Sequence, residues 1–146
     1  MFRGQFEHTI DSKGRISIPS RFREILNKKY DDRLVVTVYD HCLAGYPNDE
    51  WTALEQKIGG LPQMDNDVQA FYRFIYSSAI DCVIDKQGRL LIPQTLRDYA
   101  NLQKYVVLVG GMKKIEIWDK ERWDVVAKKE RENINQTMVR LAAKGV

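Results

Sequence analysis

The sequence predicts an α+β protein with a mainly β core, built from two similar halves. The first observation is an internal repeat, in which residues 10–26 align without a gap to residues 84–100 at a shift of 74 positions. Seven of the seventeen aligned positions are identical, whereas unrelated segments would share roughly one. The second observation is that short strand and helix patterns follow one another in the same order in both halves. Two copies are too few for a solenoid, so the repeat predicts a pseudo-two-fold unit.

The shared residues are a small set with distinct chemistry. As pairs from the first and second copies they are Ile10/Ile84, Asp11/Asp85, Gly14/Gly88, Arg15/Arg89, Ile18/Ile92, Pro19/Pro93 and Arg23/Arg97.

Each copy begins with a predicted β-hairpin. Apolar and polar residues alternate at 5–10 and 15–18, and a tight turn separates them. In that turn Asp11 can accept a bond from the backbone two residues ahead, and Gly14 supplies a positive φ. Pro19 ends the second strand because it has no N–H to donate to a ladder. In the second half Asp85, Gly88 and Pro93 are expected to play the same structural parts.

Helices and longer strands follow each hairpin. Ser20 is predicted to cap a helix over 21–29, β-branched runs predict strands, and acidic residues favour a helix from 48 because of the helix dipole. Asp119 is predicted to cap a long C-terminal helix. The remaining predicted strands are 34–39, 43–47, 82–84, 89–93, 105–109 and 114–118, and the remaining predicted helices are 94–101 and 65–77, the latter with an apolar stripe expected in the core.

This pattern divides the chain into four segments. They are a first repeat at 5–51, a connecting helical segment at 52–77, a second repeat at 78–123 and a C-terminal helix or tail at 124–146. The tail either docks on a neighbouring subunit or frays.

Composition describes an ordinary globular protein. Of 146 residues, 44% are hydrophobic and 29% are charged, and no signal peptide or membrane span is expected. Cys42 and Cys82 lie far apart and predict reduced thiols in a cytoplasmic protein. The net charge of +3 is uneven, since residues 1–30 hold seven Lys/Arg against three Asp/Glu. That basic segment suits a polyanion partner, although a solvated face is the simpler reading of a charge cluster.

The sequence offers no sign of an enzyme. It contains no phosphate-binding glycine loop, nucleophile elbow or zinc-binding helix motif. His8 and His41 stand alone, and the side chains of His41 and Cys42 should point to opposite faces of a strand. No catalytic residue, metal ligand, cofactor or small-molecule substrate is expected.

The doubled pattern of Asp, Gly-Arg, Ile-Pro and Arg resembles the AbrB/SpoVT swapped-hairpin DNA-binding domain. Two copies in a chain that opens Met1-Phe2-Arg3-Gly4 look like the MraZ family of bacterial transcription regulators, and the resemblance covers nearly the whole chain. It implies that hairpins from both halves interlock into a small β-barrel. It also implies homo-oligomeric rings at the nucleoid, which bind direct repeats upstream of the division and cell-wall operon that encodes them and act as repressors.

Arginine and lysine at these positions fit a reader of double-stranded DNA. An Arg fork can read guanine, while Lys and Arg neutralise phosphates. The first repeat is expected to dominate, because its turn has Lys13 where the second has Gln87, and Arg21 stands where the second has Thr95. The candidate DNA-binding residues are Arg15, Lys13, Arg21, Arg23, Arg3, Arg89, Lys86 and Arg97.

Two alternatives stay open at this point. Arg15 and Arg89 could simply pair with the aspartate four positions earlier and hold each turn, and Arg23 and Arg97 could bridge to the same carboxylates. In addition, the fold could serve an antitoxin-like or assembly module that acts mainly through protein–protein contacts.

Overall fold

The structure is a computed structural model that describes all 146 residues. The strands are β1 Gln5–Thr9, β2 Arg15–Ser17, β3 Arg33–Tyr39, β4 Cys42–Pro47, β5 Ile80–Val83, β6 Arg89–Leu91, β7 Tyr105–Gly110 and β8 Ile115–Asp119. The helices are α1 Ser20–Lys29, α2 Asn48–Gly59, α3 Asn66–Phe71, α4 Gln94–Tyr99, α5 Lys120–Glu132 and α6 Ile134–Ala143. A π-helical segment, Tyr72–Tyr76, continues α3. Every predicted strand is present, with its ends shifted by no more than two residues.

The strands pair across the two halves. Six of them form one antiparallel sheet in the order β1-β7-β8-β4-β3-β5. At its edges, β1 of the first half pairs with β7 of the second, and β5 of the second half pairs with β3 of the first. The remaining two, β2 and β6, pair only with each other. Neither half could therefore complete its sheet alone.

The predicted hairpins are present only as turns. Strand β2 does not form a ladder with β1, to which it is joined by an isolated bridge between Ile10 and Ile16. Its ladder partner is β6, in the register Arg15 opposite Leu91, Ile16 opposite Leu90 and Ser17 opposite Arg89. We refer to the β2–β6 pair as the ribbon.

The fold prediction is confirmed at its coarser level, a mixed α+β protein with a mainly β core. The strands do not form a closed barrel, because the ribbon is a separate two-stranded ladder beside an open six-stranded sheet. Each ribbon strand is only three residues long.

The core repeats the internal symmetry of the sequence. A single cluster of 18 buried residues joins the ribbon to the larger sheet and the helices. Corresponding positions of the two copies occupy it together: Ile16 and Leu90, Ile18 and Ile92, Phe22 and Leu96, Leu26 and Ala100 are all at most 2% exposed. Burial of the larger of these side chains, the isoleucines, leucines and Phe22, contributes about 1.5–3 kcal/mol each and fixes the ribbon on the protein.

Most of the helices begin in one of two ways, after a proline or after a capping aspartate, and only the second was predicted. The predicted cap at Ser20 is wrong, because α1 already includes Ser20 and its N-cap is Pro19. Pro93 occupies the same position before α4. A proline suits this junction because the N–H it lacks would otherwise be an orphan, and its extended ψ ends the strand. The predicted cap at Asp119 is confirmed, since its side chain accepts from the Arg122 N–H.

The remaining helices are less buried. In the predicted apolar stripe, Val68 is buried and Ile75 packs against the core, whereas Tyr76 is 40% exposed, so only part of that stripe is core. No residue of α6 is buried. None of the helices combines the length and apolar character that a bilayer crossing would require.

Candidate nucleic-acid interface

Two equivalent turns flank the ribbon. In the first, Asp11 Oδ1 accepts from the backbone N–H groups of Lys13 and Arg15, both at 2.9 Å. In the second, Asp85 Oδ1 accepts from the N–H groups of Gln87 and Arg89, also at 2.9 Å. Through these bonds each aspartate holds the backbone of its own turn.

Each turn also fixes an arginine. Arg15 Nε donates to Asp11 Oδ2 at 2.6 Å, and Arg89 Nε donates to Asp85 Oδ2 at 3.0 Å. The Nη atoms of both arginines have no acceptor within the protein, and each side chain is 30% exposed. The aspartate therefore orients the guanidinium from one edge and leaves its terminal nitrogens free to donate elsewhere.

The pKa of Asp11 reflects this environment. It is lowered to about 2, first because the carboxylate accepts from the Arg15 backbone N–H, and then through the Arg15 side chain and the Lys13 N–H. The pKa of Asp85 is lowered for the corresponding reasons. Both carboxylates stay ionised at neutral pH, so both ion pairs persist there.

The ribbon has one inward face and one outward face. Ile16 and Leu90 lie opposite each other and are fully buried. Side chains alternate along a strand, so their neighbours point outward: these are Arg15, Ser17, Arg89 and Leu91. Arg15 and Arg89 are thus diagonal neighbours on one face, with Cα atoms about 7–8 Å apart. No acidic residue belongs to either ribbon strand.

Arg23 and Arg97 lie against the two turns. Neither bridges to Asp11 or Asp85. Instead, Arg23 of the first half lies against Gly88, with Nη1 2.7 Å from where a Cβ would be, and Arg97 of the second half lies against Gly14, with Cζ 2.7 Å from the equivalent point. Each arginine therefore packs on the turn of the opposite half.

The two glycines permit this packing. Gly14 has a φ of +88° and Gly88 a φ of +77°, and both carbonyls accept from the opposite half. Ile92 N–H donates to Gly14 O at 2.9 Å, and Ile18 N–H donates to Gly88 O at 2.8 Å. A residue with a Cβ at either position would be strained by the positive φ, and its Cβ would clash with the guanidinium.

The two ends of the ribbon differ in charge. At the Arg15 end, the Ile10 N–H just before the turn donates to the carbonyl of Lys104. At the Arg89 end, the equivalent Ile84 N–H donates to the carbonyl of Asp32. Asp32 also lines a cleft with Lys86. The Arg15 end is consequently the more basic of the two.

Arg3 and Arg21 form a separate pair. Together with Met1 and Glu24, they line an open cleft of about 420 Å³ beside α1. The backbone of Arg3 crosses Gly110, at the end of β7 that is remote from the first turn. The structure therefore does not bring Arg3 to the face that carries Arg15 and Arg89.

Two successive segments of the chain match the same family model. Residues 1–74 and 75–143 each match the model described as "MraZ protein, putative antitoxin-like". The chain belongs to the MraZ family.

Relatives named "Transcriptional regulator MraZ" agree along most of this MraZ-family chain. The protein of Limosilactobacillus reuteri (strain DSM 20016) is 48% identical over 93% of this chain and 94% of its own. That of Desulforamulus reducens is 51% identical over 85% of both chains. That of Acetivibrio thermocellus is 41% identical over the full length of both.

Groups typical of enzyme chemistry are isolated in this MraZ-family protein. No three His, Cys, Asp or Glu side chains cluster as metal ligands would. His41 is exposed and Cys42 is fully buried, so the two side chains are separated, but the predicted reason is wrong because His41 lies in the turn before β4, with a φ of +72°. Burial raises the pKa of the Cys42 thiol, and it raises that of Cys82 to about 11. Both thiols are therefore protonated and unreactive at neutral pH.

The candidate DNA-binding residues predicted from the sequence leave out three residues of this MraZ-family surface. Ser17 and Leu91 share the outward face with the arginines, and Lys104 lies beside the first turn. Alternation along β2 and β6 could have placed Ser17 and Leu91 outward. Their proximity follows only from pairing between halves, which no local pattern reveals.

Proposed function

We propose that this protein is a sequence-specific DNA-binding transcriptional regulator whose ribbon enters the major groove. A two-stranded β-ribbon fits that groove. One observation carries the proposal: Arg15 and Arg89 share the outward face of two strands that contain no acidic residue, and although a turn aspartate holds each Nε, their terminal nitrogens have no protein acceptor. Two such forks are suited to the O6 and N7 atoms of guanine.

The surrounding residues take three different parts in this proposal. Lys13 and Lys86, exposed in the two turns, neutralise phosphates on either side of the groove. Arg23 and Arg97 act as positioning residues, because each packs on the opposite turn. Arg3 and Arg21 contact a phosphate outside the groove from their shared cleft.

The biological role follows the resemblance to MraZ regulators. The protein acts as a repressor in the cytoplasm, at the nucleoid, and binds tandem direct repeats upstream of the division and cell-wall operon that includes its own gene. Rings of identical subunits would place several ribbons on adjacent repeats. Effective concentration would then raise the affinity by about 10²–10⁴-fold over a single contact. The relatives' shared name, "Transcriptional regulator MraZ", supports a regulatory role.

A protein-interaction module is the second candidate. It is favoured by the exposed apolar residues of α6, where Ile134 is 47% exposed, Met138 51% and Val139 72%. The description of the family as antitoxin-like points the same way.

Fluorescence anisotropy separates the two candidates. The purified protein is titrated with DNA from upstream of its own gene and with scrambled DNA of equal length, across a salt series. The proposal expects a preference of at least about 10³-fold for the native DNA, with a log–log salt slope of several units. Equal binding to both DNAs would reduce the protein to a nonspecific binder. Binding to neither, with an unrelated protein co-purifying, would favour the interaction module.

A further inference from the structure

We propose that Leu91 determines part of the DNA specificity by packing on the 5-methyl group of a thymine next to the guanine read by Arg15. This inference rests on the proposed function and deepens it. It assigns to one end of the ribbon an apolar readout that neither the repeat motif nor the arginines supply.

The position of Leu91 singles it out. It lies directly opposite Arg15 in the antiparallel ladder, so the two Cβ atoms are about 4.5–5.5 Å apart. Leu91 is 55% exposed, whereas its neighbours Leu90 and Ile92 are fully buried. It is the one apolar side chain on an outward face whose other members are two arginines and a serine.

The chemistry of the major groove offers Leu91 a specific partner. The thymine methyl is the apolar group exposed on the base edges there, and apolar side chains recognise it by contact. Successive base pairs are about 3.4 Å apart along the helix axis. Two side chains about 5 Å apart therefore span neighbouring base pairs, which places a thymine beside the guanine that Arg15 contacts.

The other end of the ribbon is different. There Arg89 lies opposite Ser17, whose hydroxyl can both donate and accept and so fits more than one base. The scaffold is pseudo-symmetric about the Ile16–Leu90 pair, but its two reading pairs are Arg–Leu and Arg–Ser. A single chain thus recognises a non-palindromic sequence and binds in one orientation.

Removing one thymine methyl group at a time from the DNA tests this inference. Each thymine of the bound site is replaced in turn by deoxyuridine, which lacks only the methyl group, and anisotropy is measured with the wild type and with Leu91→Ala. At one thymine the replacement should weaken the wild type by roughly fourfold, the effect of one buried methyl-sized group. Leu91→Ala should bind both DNAs equally, near the affinity of the wild type for the uracil site.

Two further variants make the result specific. Leu91→Met keeps an apolar tip and should keep the uracil penalty. Leu61→Ala, which removes a leucine of similar exposure from a loop, should behave as the wild type. Unfolding midpoints equal to that of the wild type would show that Leu91→Ala is folded.

The outcomes distinguish this inference from the function beneath it. The role of Leu91 alone would be overturned if the wild type preferred native DNA but lost no affinity at any thymine-to-deoxyuridine replacement. It would also be overturned if Leu91→Ala lost the same affinity as the wild type at that replacement. A wild type that does not prefer native over scrambled DNA would overturn the proposed function and this inference together.

Discussion

Arg97 of the second half lies against Gly14 of the first, with its Cζ 2.7 Å from the point that a Cβ on Gly14 would occupy. Arg23 and Gly88 repeat this contact in the opposite sense. Each half thus holds the turn that orients the other half's reading arginine. The shared Gly and Arg positions of the two copies are explained by one contact made twice across the pseudo-two-fold axis.

Gly14→Ala should lower the free energy of unfolding by at least about 1–2 kcal/mol. A Cβ at a φ of +88° carries a left-handed strain of about that size, and the clash with Arg97 adds to it. Urea denaturation measures the change.

Gly59→Ala is the matched control for that variant. Gly59 is the last residue of α2, and a Cβ there would meet nothing within 4 Å. Its stability should be unchanged or slightly higher, because alanine is the better helix former. Equal stability of the Gly14 and Gly59 variants would contradict the account of the turn.

Arg97→Ala and Lys13→Ala should weaken DNA binding in different ways. Lys13 is proposed to contact phosphate, so its loss should reduce the log–log salt slope by about 0.9. Arg97 is proposed to position the turn, so its loss should lower affinity while leaving the slope unchanged. Anisotropy across a salt series measures both. A drop in slope for Arg97→Ala would make that residue a phosphate contact after all.

Arg15→Ala should reduce specific binding more than Arg89→Ala. Loss of one bidentate guanine contact is worth about 1–3 kcal/mol, and we expect the Arg15 variant to reach that range. Lys104 flanks the first turn and Asp32 the second, so the Arg15 end should attract phosphate more strongly. Titration with the native site compares the two variants, and equal losses would refute the asymmetry.

The Asp11 carboxyl should titrate near pH 2 in the intact protein. Its pKa in an unfolded chain is about 3.9, so the folded state binds fewer protons there. The interaction therefore contributes stability above about pH 4 that is lost as the pH falls towards 2. NMR of the Asp11 side-chain carboxyl carbon measures this pKa.

Arg15→Ala separates the causes of that pKa. The backbone N–H of residue 15 is the largest of them, and the variant retains it, so the pKa should rise only part of the way to its ordinary value. An intact protein whose Asp11 titrates near 3.9 would show that the turn is not held as described.

Local patterns predicted local structure well. The two turns, their aspartates and the helix cap at Asp119 are set by residues within a few positions of one another, and all are present. Ser20 was misjudged because Pro19 competes for the same junction. A proline carbonyl begins the helix without any side-chain cap.

Long-range pairing was beyond the reach of such patterns. Alternation in β2 shows which side chains are buried, but it is equally compatible with β1 or β6 as the partner. For the same reason no local pattern indicates that Arg23 and Arg97 pack on glycines, since their glycine partners lie 65 and 83 positions away in the sequence. Only the fold brings these residues together.

The central claim, that Arg15 and Arg89 read the DNA sequence, is tested most directly by removing both arginines. The quantity measured is the specificity ratio, the affinity for native DNA divided by the affinity for scrambled DNA. Arg15→Ala with Arg89→Ala is compared with Arg73→Ala with Arg140→Ala, which removes the same charge from exposed sites on the π-helical segment and α6. Affinities for native and scrambled DNA are measured by anisotropy for both proteins and the wild type. The account predicts a ratio near one for the ribbon variant and an unchanged ratio for the control. A ribbon variant that keeps the wild-type ratio would contradict it.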